Sequence, residues 1–407
     1  MASKGLKGIK TVRELEVAGK VVFLRLDLNV PLEDGKISDE TRIKASIPTI
    51  QYLMEKGAKI VMCSHLGRPK HAEDRQFSLE PVAKRLTEIL SLQGPAEVIL
   101  WEDVASDGVK ALLQNMKKNQ LVLLENVRFA EGETKDSEQL AQVWASYSDV
   151  YVNDAFGASH RAHASIHALP ILMKEKAIGF LIEKEVTVLD GLLENPKRPY
   201  LAVLGGAKVS DKIAVIEKFL DIVDGFVIGG AMAYTFLKAQ GHAVGKSLVE
   251  TDKLNYARQM IERIEARNKS LLLPVDHVAT TSISDTASAR VTADVNIGDN
   301  ELGVDIGPKT MRAYTIALSE AATVFWNGPM GVFETPEFSK GTFAIAKALA
   351  ESKGEKIVGG GDSAAAAEAS GYADKMTHIS TGGGASLEYL QGDKLPGLEI
   401  LRAKIRS

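Results

Sequence analysis

The chain has 407 residues, 45% of them apolar and 25% charged, with a formal net charge of −4 and one cysteine. That length exceeds what one hydrophobic core usually serves, so two domains are expected. The mild acidity argues against a nucleic-acid binder and confines any basic site to a local cluster. A single cysteine excludes an internal disulfide and a cysteine-rich metal site. With no signal-type apolar run near the start and no window approaching a membrane span, a cytoplasmic protein with no membrane partner is expected.

Val21 to Pro31 reads as a strand that begins fully apolar and then alternates, with Arg25, Asp27 and Asn29 on one face and Leu24, Leu26 and Leu28 on the other. Two readings fit this pattern: a cleft wall at the strand's carboxyl end, or an edge strand with one wet face. Arg25 either joins a ligand site or simply pairs with Asp27. Asp34-Gly35 predicts a turn, and Ser38 or Asp39 caps a following helix that carries Arg42, Ile43, Ile47 and Ile50. Pro48 inside that helix predicts a kink or a short first segment.

A strand over 58–64 ends in His65-Leu66-Gly67-Arg68-Pro69. Taken singly, His65 reads as a capping or core histidine and Arg68 as a loop residue. Cys63 reads as a buried strand residue rather than a nucleophile. An amphipathic stretch follows through Val82, Leu86 and Leu90, then strands over 96–100, 121–124 and 150–152. The last two run into Glu125 to Phe129 and Asn153 to His163. Strand after strand in this half therefore ends near an Arg or a His. In an open α/β sheet ligands bind outside the carboxyl ends of the strands. Arg25, Arg42, His65, Arg68, Arg128, His160 and Arg161 would gather there, offset only by Asp27 and Asp154. Such a cluster repels itself unless an anion fills it, and guanidinium forks match phosphate and carboxylate. A small, multiply charged anion is the favoured ligand.

A helix over 180–193 ends at Glu194 to Pro199, the clearest boundary in the chain. Beyond it lies an apolar strand, Gly205-Gly206, and a helix expected to start near Ser210 with Lys212 in its first turn. Two lysines beside a Gly turn are either solvated or are anion ligands at a helix N-terminus. Later strands end in Gly229-Gly230, Asp276-His277, Asn327-Gly328-Pro329, Gly359 to Ser363 and Thr381 to Ala385. Here the rim is glycine, which lets backbone N–H groups approach a nucleotide and its phosphates. Asp362 suits a nucleotide-bound Mg²⁺, an ion that takes one or two carboxylates plus phosphate oxygens. Gly241 to Ser247 imitates a Walker A loop, but only three residues separate its glycines, so it is read as a plain loop. No G-x-G-x-x-G follows the first strand of either half, which weakens an oxidoreductase reading.

Taken in order, RLDLNVP (25–31), SHLGRP (64–69), ENVRF (125–129), NDAFG (153–157), HRA (160–162), LGGAKVSDKI (204–213), GGAMAYTFL (229–237), FWNGPMGVFE (325–334), GGGDS (359–363) and HISTGGGASLE (378–388) resemble the phosphoglycerate kinase family over essentially the whole chain. The resemblance implies an α/β fold of two Rossmann-like domains, each a mainly parallel sheet with helices on both faces, joined by a hinge helix. The expected bounds are 1–179 for a phosphoglycerate-binding domain, 180–199 for the interdomain helix and linker, 200–390 for a nucleotide-binding domain, and 391–407 for a tail packing back on the first. It implies reversible, Mg²⁺-dependent phosphoryl transfer between 1,3-bisphosphoglycerate and ADP, giving 3-phosphoglycerate and ATP, by a cytoplasmic monomer after hinge closure. Asp27, Asn29, Arg42, His65, Arg68, Arg128 and Arg161 would hold the phosphoglycerate. Lys212, Glu334 and Gly360, Gly361, Asp362 and Ser363 would hold the nucleotide, with Gly229, Gly230, Asn327 and Pro329 lining the adenosine pocket and Asp362 carrying the metal. Arg42, Lys208 and the backbone of Gly383 and Gly384 are the expected catalytic groups. The nucleophile is already an ionised carboxylate, and no residue pattern suggests a general base. Two rivals are a kinase of the same plan acting on another carboxylate or sugar phosphate, and a non-enzymatic two-lobed anion binder.

Overall fold

The structure is a computed structural model and describes residues 3–403. It divides into two compact units, Met1–Asp190 with Asp393–Ser407, and Gly191–Gly392.

In the first unit, β1 (Val21–Leu26) is buried along nearly its whole length, as a central parallel strand must be when helices cover both faces. A short hairpin follows, β2 (Leu32–Glu33) and β3 (Lys36–Ile37), turning at Asp34 and Gly35. Both residues have positive φ, the requirement of a tight two-residue hairpin turn. The helix Thr41–Glu55 then runs through Pro48 as one 15-residue element, so Pro48 does not end a short first segment. Asp39 supports its start by accepting the Thr41 N–H at 2.8 Å. The remaining strands are β4 (Lys59–Cys63), β5 (Glu97–Trp101), β6 (Gln120–Leu124), β7 (Val150–Asp154) and β8 (Glu175–Ile178). All pair in parallel, in the order β5-β6-β4-β1-β7-β8. One face packs a large apolar core in which Leu24, Leu26, Ile43, Ile50, Leu53, Val82 and Leu86 are sealed from solvent.

The second unit holds β9 (Tyr200–Leu204), β10 (Gly225–Ile228) and β11 (Ser270–Leu272). Three antiparallel strands follow, β12 (His277–Thr280), β13 (Arg290–Val291) and β14 (Leu302–Ile306), then β15 (Thr323–Asn327), β16 (Glu355–Val358) and β17 (His378–Ile379). The main sheet is wholly parallel in the order β11-β10-β9-β15-β16-β17. Counting only its own six strands, that order is 3-2-1-4-5-6, the doubly wound arrangement whose ligand crevice opens where the order reverses, between β9 and β15. The first unit reverses likewise beside β1. The three-stranded antiparallel sheet was not expected from the sequence. β11 is also shorter than its apolar run, because Pro274 lacks the N–H that a longer strand would need.

Candidate functional site: a basic cluster and a glycine rim at two strand ends

In the first unit the polar face of β1 continues into a set of anchored side chains. Asp27 is 4% exposed, and its Oδ1 accepts the Arg42 guanidinium at 2.9 Å. Arg42 is the second residue of its helix, and its side chain is 29% exposed. The Asn29 Oδ1 accepts the Gly67 N–H at 2.8 Å, while Arg128 donates to the Gly67 carbonyl at 2.5 Å. Asn126 secures the same loop from below, donating to Leu66 O at 2.7 Å and Phe77 O at 2.9 Å. Its Oδ1 also accepts the Arg128 N–H at 3.1 Å. Arg68, Arg128 and Arg161 together line one cavity of about 710 Å³.

The electrostatics fit a cluster short of negative charge. Burial first, then the positive Arg25, Arg128 and Arg42, hold His65 well below its ordinary pKa. The Arg128 guanidinium, pressed by burial and by Arg25 and Arg161, is brought down to about 10. Its Nε is buried and finds no hydrogen-bond partner among the described residues. His163, desolvated and facing Arg128 and Arg25, is lowered to about 4.

Two sequence expectations are revised here. Arg25 does not pair with Asp27, and it does not stand at the open rim. It is 1% exposed and bonds Ser165 Oγ through Nε at 2.8 Å, His65 Nδ1 at 3.2 Å, and the Leu26 carbonyl. Asp154 likewise does not offset the arginines. Its Oδ1 accepts the N–H groups of Leu181 and Ile182 at 2.9 and 3.2 Å, capping the helix Phe180–Glu194. Burial raises its pKa to about 7.

In the second unit the strand ends interlock through backbone. Gly205 N–H bonds Asn327 O, Gly206 N–H bonds Pro329 O, and Gly230 N–H bonds Met330 O, each at 2.9–3.0 Å. A Cβ on Gly230, whose φ is +65°, would lie 2.5 Å from Gly206 N and 2.8 Å from Pro329 O. These glycines let three strand-end loops close on one another. The helix after Gly206 starts at Ile213, not near Ser210, which puts Lys212 at the N-cap instead of in the first turn. There the partly buried ammonium donates to Asn327 Oδ1, and burial lowers its pKa against the pull of Asp211 and Asp362. Asn327 Nδ2 donates to Gly359 O at 2.6 Å, and Ser363 Oγ accepts Gly328 N–H at 2.5 Å.

The groups left open are different ones. Gly361, Gly383 and Gly384 would meet nothing within 4 Å if given a Cβ, so the starts of the helices Gly361–Ala369 and Gly384–Gln391 face open space. Lys208, Glu334 and Asp362 are exposed. The Walker-like stretch is a loop: Gly245 has φ +52°, Lys246 N–H bonds Glu301 O at 2.7 Å, and Ser247 Oγ accepts Gly303 N–H at 2.9 Å.

A family model described as phosphoglycerate kinase matches residues 12–393. The chain belongs to the phosphoglycerate kinase family. A relative named phosphoglycerate kinase from Bdellovibrio bacteriovorus is 72% identical over 404 residues, covering 99% of this chain and 100% of its own. One of the same name from Clostridium botulinum is 51% identical over 397 residues, with 97% and 99% covered. The phosphoglycerate kinase structure from Coxiella burnetii superposes with a TM-score of 0.85 at 41% identity, covering 97% of this chain and all of that one. That from Pyrococcus horikoshii gives 0.82 at 33%, with 97% and 98% covered.

Phosphoglycerate kinases transfer a phosphoryl group to and from a nucleotide, generally with Mg²⁺. Among the described residues no group of three or more His, Cys, Asp or Glu is arranged to hold a metal. One exposed carboxylate, Asp362, stands in the first turn of the helix Gly361–Ala369. That donor set fits Mg²⁺ held mainly by phosphate and water oxygens, and does not fit an ion needing a full protein cage. No helix among the described residues is long and apolar enough to cross a membrane. Sequence reasoning did not find Glu133, Ser165 or Asn126, which brace the cluster from below. Asn126 lies inside the strand-end motif ENVRF (125–129), whereas Glu133 and Ser165 carry no signal beyond polarity, and nothing in a linear pattern pairs residue 133 with residue 165.

Proposed function

We propose that the chain catalyses reversible phosphoryl transfer between 1,3-bisphosphoglycerate and ADP, giving 3-phosphoglycerate and ATP. The observation that carries this reading is the crowding of Arg42, His65, Arg68, Arg128 and Arg161 around strand ends, with Asp27 taken by Arg42. A ligand bearing both phosphate and carboxylate relieves that repulsion and matches guanidinium geometry. Asp27 and Asn29 orient the basic groups, and Arg68, Arg128, Arg161 and His65 bind the anion.

The nucleotide is assigned to the second unit. Lys212 meets its phosphates together with the N–H groups of Gly360 and Gly361, while Glu334 and the rim of Gly229, Gly230 and Pro329 hold the nucleoside. Asn327 and Ser363 serve by placing Lys212 and the Gly328 turn, since each already spends its side chain on a protein partner. Asp362 would hold Mg²⁺, which when bound neutralises phosphate charge.

The attacking carboxylate of 3-phosphoglycerate needs no base, so catalysis consists of positioning and charge stabilisation. Arg42 and Lys208 supply positive charge to the phosphoryl group in transit, and the N–H groups of Gly383 and Gly384 donate hydrogen bonds to its oxygens. The two sets of groups belong to different units, so a closing motion precedes transfer, carried out by a cytoplasmic monomer with no nucleic-acid partner. A coupled assay for ATP-dependent acyl phosphate formation from 3-phosphoglycerate tests the reading. Turnover with another carboxylate or sugar phosphate but not with 3-phosphoglycerate would overturn it. Scattering profiles unchanged by adding both substrates would overturn the closing motion.

A further inference from the structure

We propose that Arg25 is a positioning residue that holds His65 as the neutral tautomer with its proton on Nε2, giving the anion site a fixed hydrogen-bond donor in place of a titrating cation. A guanidinium only donates. Its NH2 lies 3.2 Å from His65 Nδ1, so Nδ1 must accept, and the imidazole proton belongs to Nε2. Its Nε lies 2.8 Å from Ser165 Oγ, so that oxygen also accepts. The serine hydroxyl proton is then free for Glu133 Oε1, 2.6 Å away, while Glu133 Oε2 takes the Ser165 N–H at 2.9 Å. Every proton in the row from Glu133 to His65 is thus set by Arg25.

Burial makes the row rigid. Arg25 is 1% exposed, and Glu133 and Ser165 are fully buried. A buried guanidinium without a nearby carboxylate is costly, and Glu133 supplies that charge through Ser165. The groups facing His65 are Arg25, Arg128, Arg42 and His163, none of which favours an added proton on the ring. The site itself is rich in cations. A neutral donor there can bond a carboxylate or phosphate oxygen at one angle without adding to the repulsion.

The donor role rests on reading this cluster as the phosphoglycerate site; the tautomer does not. The test uses the full-length ¹⁵N-labelled protein and imidazole ¹⁵N–¹H correlation spectra, with His65 assigned by its loss in His65→Gln. The expected wild-type pattern is Nε2–H, unchanged from pH 8 to pH 6. In Arg25→Met the single tautomer is lost and protonation of His65 moves to higher pH. 3-Phosphoglycerate then binds about 5–10-fold more weakly at pH 8, the value of one hydrogen bond. A wild-type Nδ1–H or imidazolium pattern, or an unchanged pattern in Arg25→Met, overturns the proposal. If Arg25→Met does not fold, the wild-type spectrum and Ser165→Ala decide, the latter leaving Arg25 facing Nδ1 and so expected to keep the Nε2–H pattern; an Nδ1–H pattern there overturns the proposal. A wild-type Nε2–H pattern that 3-phosphoglycerate leaves unshifted supports the tautomer and overturns the site reading alone.

Discussion

Asn29 and Arg128 hold one loop residue from two sides, the first accepting the Gly67 N–H at 2.8 Å and the second donating to its carbonyl at 2.5 Å. Gly67 has φ +59°, and a Cβ there would run into the Phe77 ring. The loop that carries Arg68 is therefore shaped by a polar clamp and a glycine. Asn29→Ala is expected to weaken 3-phosphoglycerate binding about 10-fold, the loss of one well-placed hydrogen bond, with a smaller effect on nucleotide binding. Separate calorimetric titrations with the two ligands check this, and equal losses for both would contradict it.

The two lysines after β9 should part company in kinetics. Lys208→Ala is expected to lower kcat by about 100-fold or more while leaving the ATP dissociation constant within a few-fold, as for a charge felt mainly in the transition state. Lys212→Ala should instead weaken ATP binding, because it also releases the Asn327 amide that Lys212 fixes. Steady-state kinetics combined with direct binding distinguish the two. A large affinity loss at unchanged kcat in Lys208→Ala would remove it from the catalytic set.

Two buried carboxylates give a pH signature. Asp154 and Asp305 are each raised by burial from the ordinary carboxylate range to about 7. The folded protein therefore binds more protons at these positions than the unfolded chain between about pH 4 and pH 7. Stability from this source is complete below the unfolded pKa and falls as pH rises through the folded value. Asp154→Asn keeps an oxygen for the Leu181 and Ile182 N–H groups and removes the titration. Its melting temperature relative to wild type should rise progressively from pH 4 to pH 8, as followed by circular dichroism. A constant difference would refute the assignment.

Gly230→Ala offers a structural test confined to the second unit. Its positive φ and the 2.5–2.8 Å approach to Gly206 and Pro329 leave no room for a methyl group. A loss of about 1–3 kcal/mol in stability is expected from strain and overpacking. ATP binding should fall with it while 3-phosphoglycerate binding persists, since Gly229, Gly230 and Pro329 form the proposed adenosine rim. Both affinities and the denaturant midpoint can be measured on the same sample.

Much of the fold was legible because parallel sheets leave a plain trace: apolar runs such as Val21 to Leu26 and Tyr200 to Leu204, each followed by a polar or glycine-rich end and an amphipathic helix. The basic set was legible for the same reason, since strand ends bring distant arginines together. The start of the helix at Ile213 was not, because Ser210 looks like a cap while Glu250 accepts the Val209 and Ser210 N–H groups and holds the chain out of helical form. Arg25 was misplaced because alternation along β1 says which face a side chain takes but not how deep that face is buried. The small antiparallel sheet escaped because β13 is two exposed residues and its partners are separated by polar loops.

The last described residues carry a consequence for synthesis. Gly397 N–H bonds Ser159 O at 2.9 Å, its carbonyl accepts Asn153 Nδ2 at 3.1 Å, and Ala403 N–H bonds Gly8 O at 2.8 Å. A methyl on Gly397 would lie 2.7 Å from Ile166 Cγ2, so this segment fills a fitted slot in the first unit. The ribosome makes that slot early and its occupant only after the whole of Gly191–Gly392. The second unit is therefore synthesised whole before the first can be sealed.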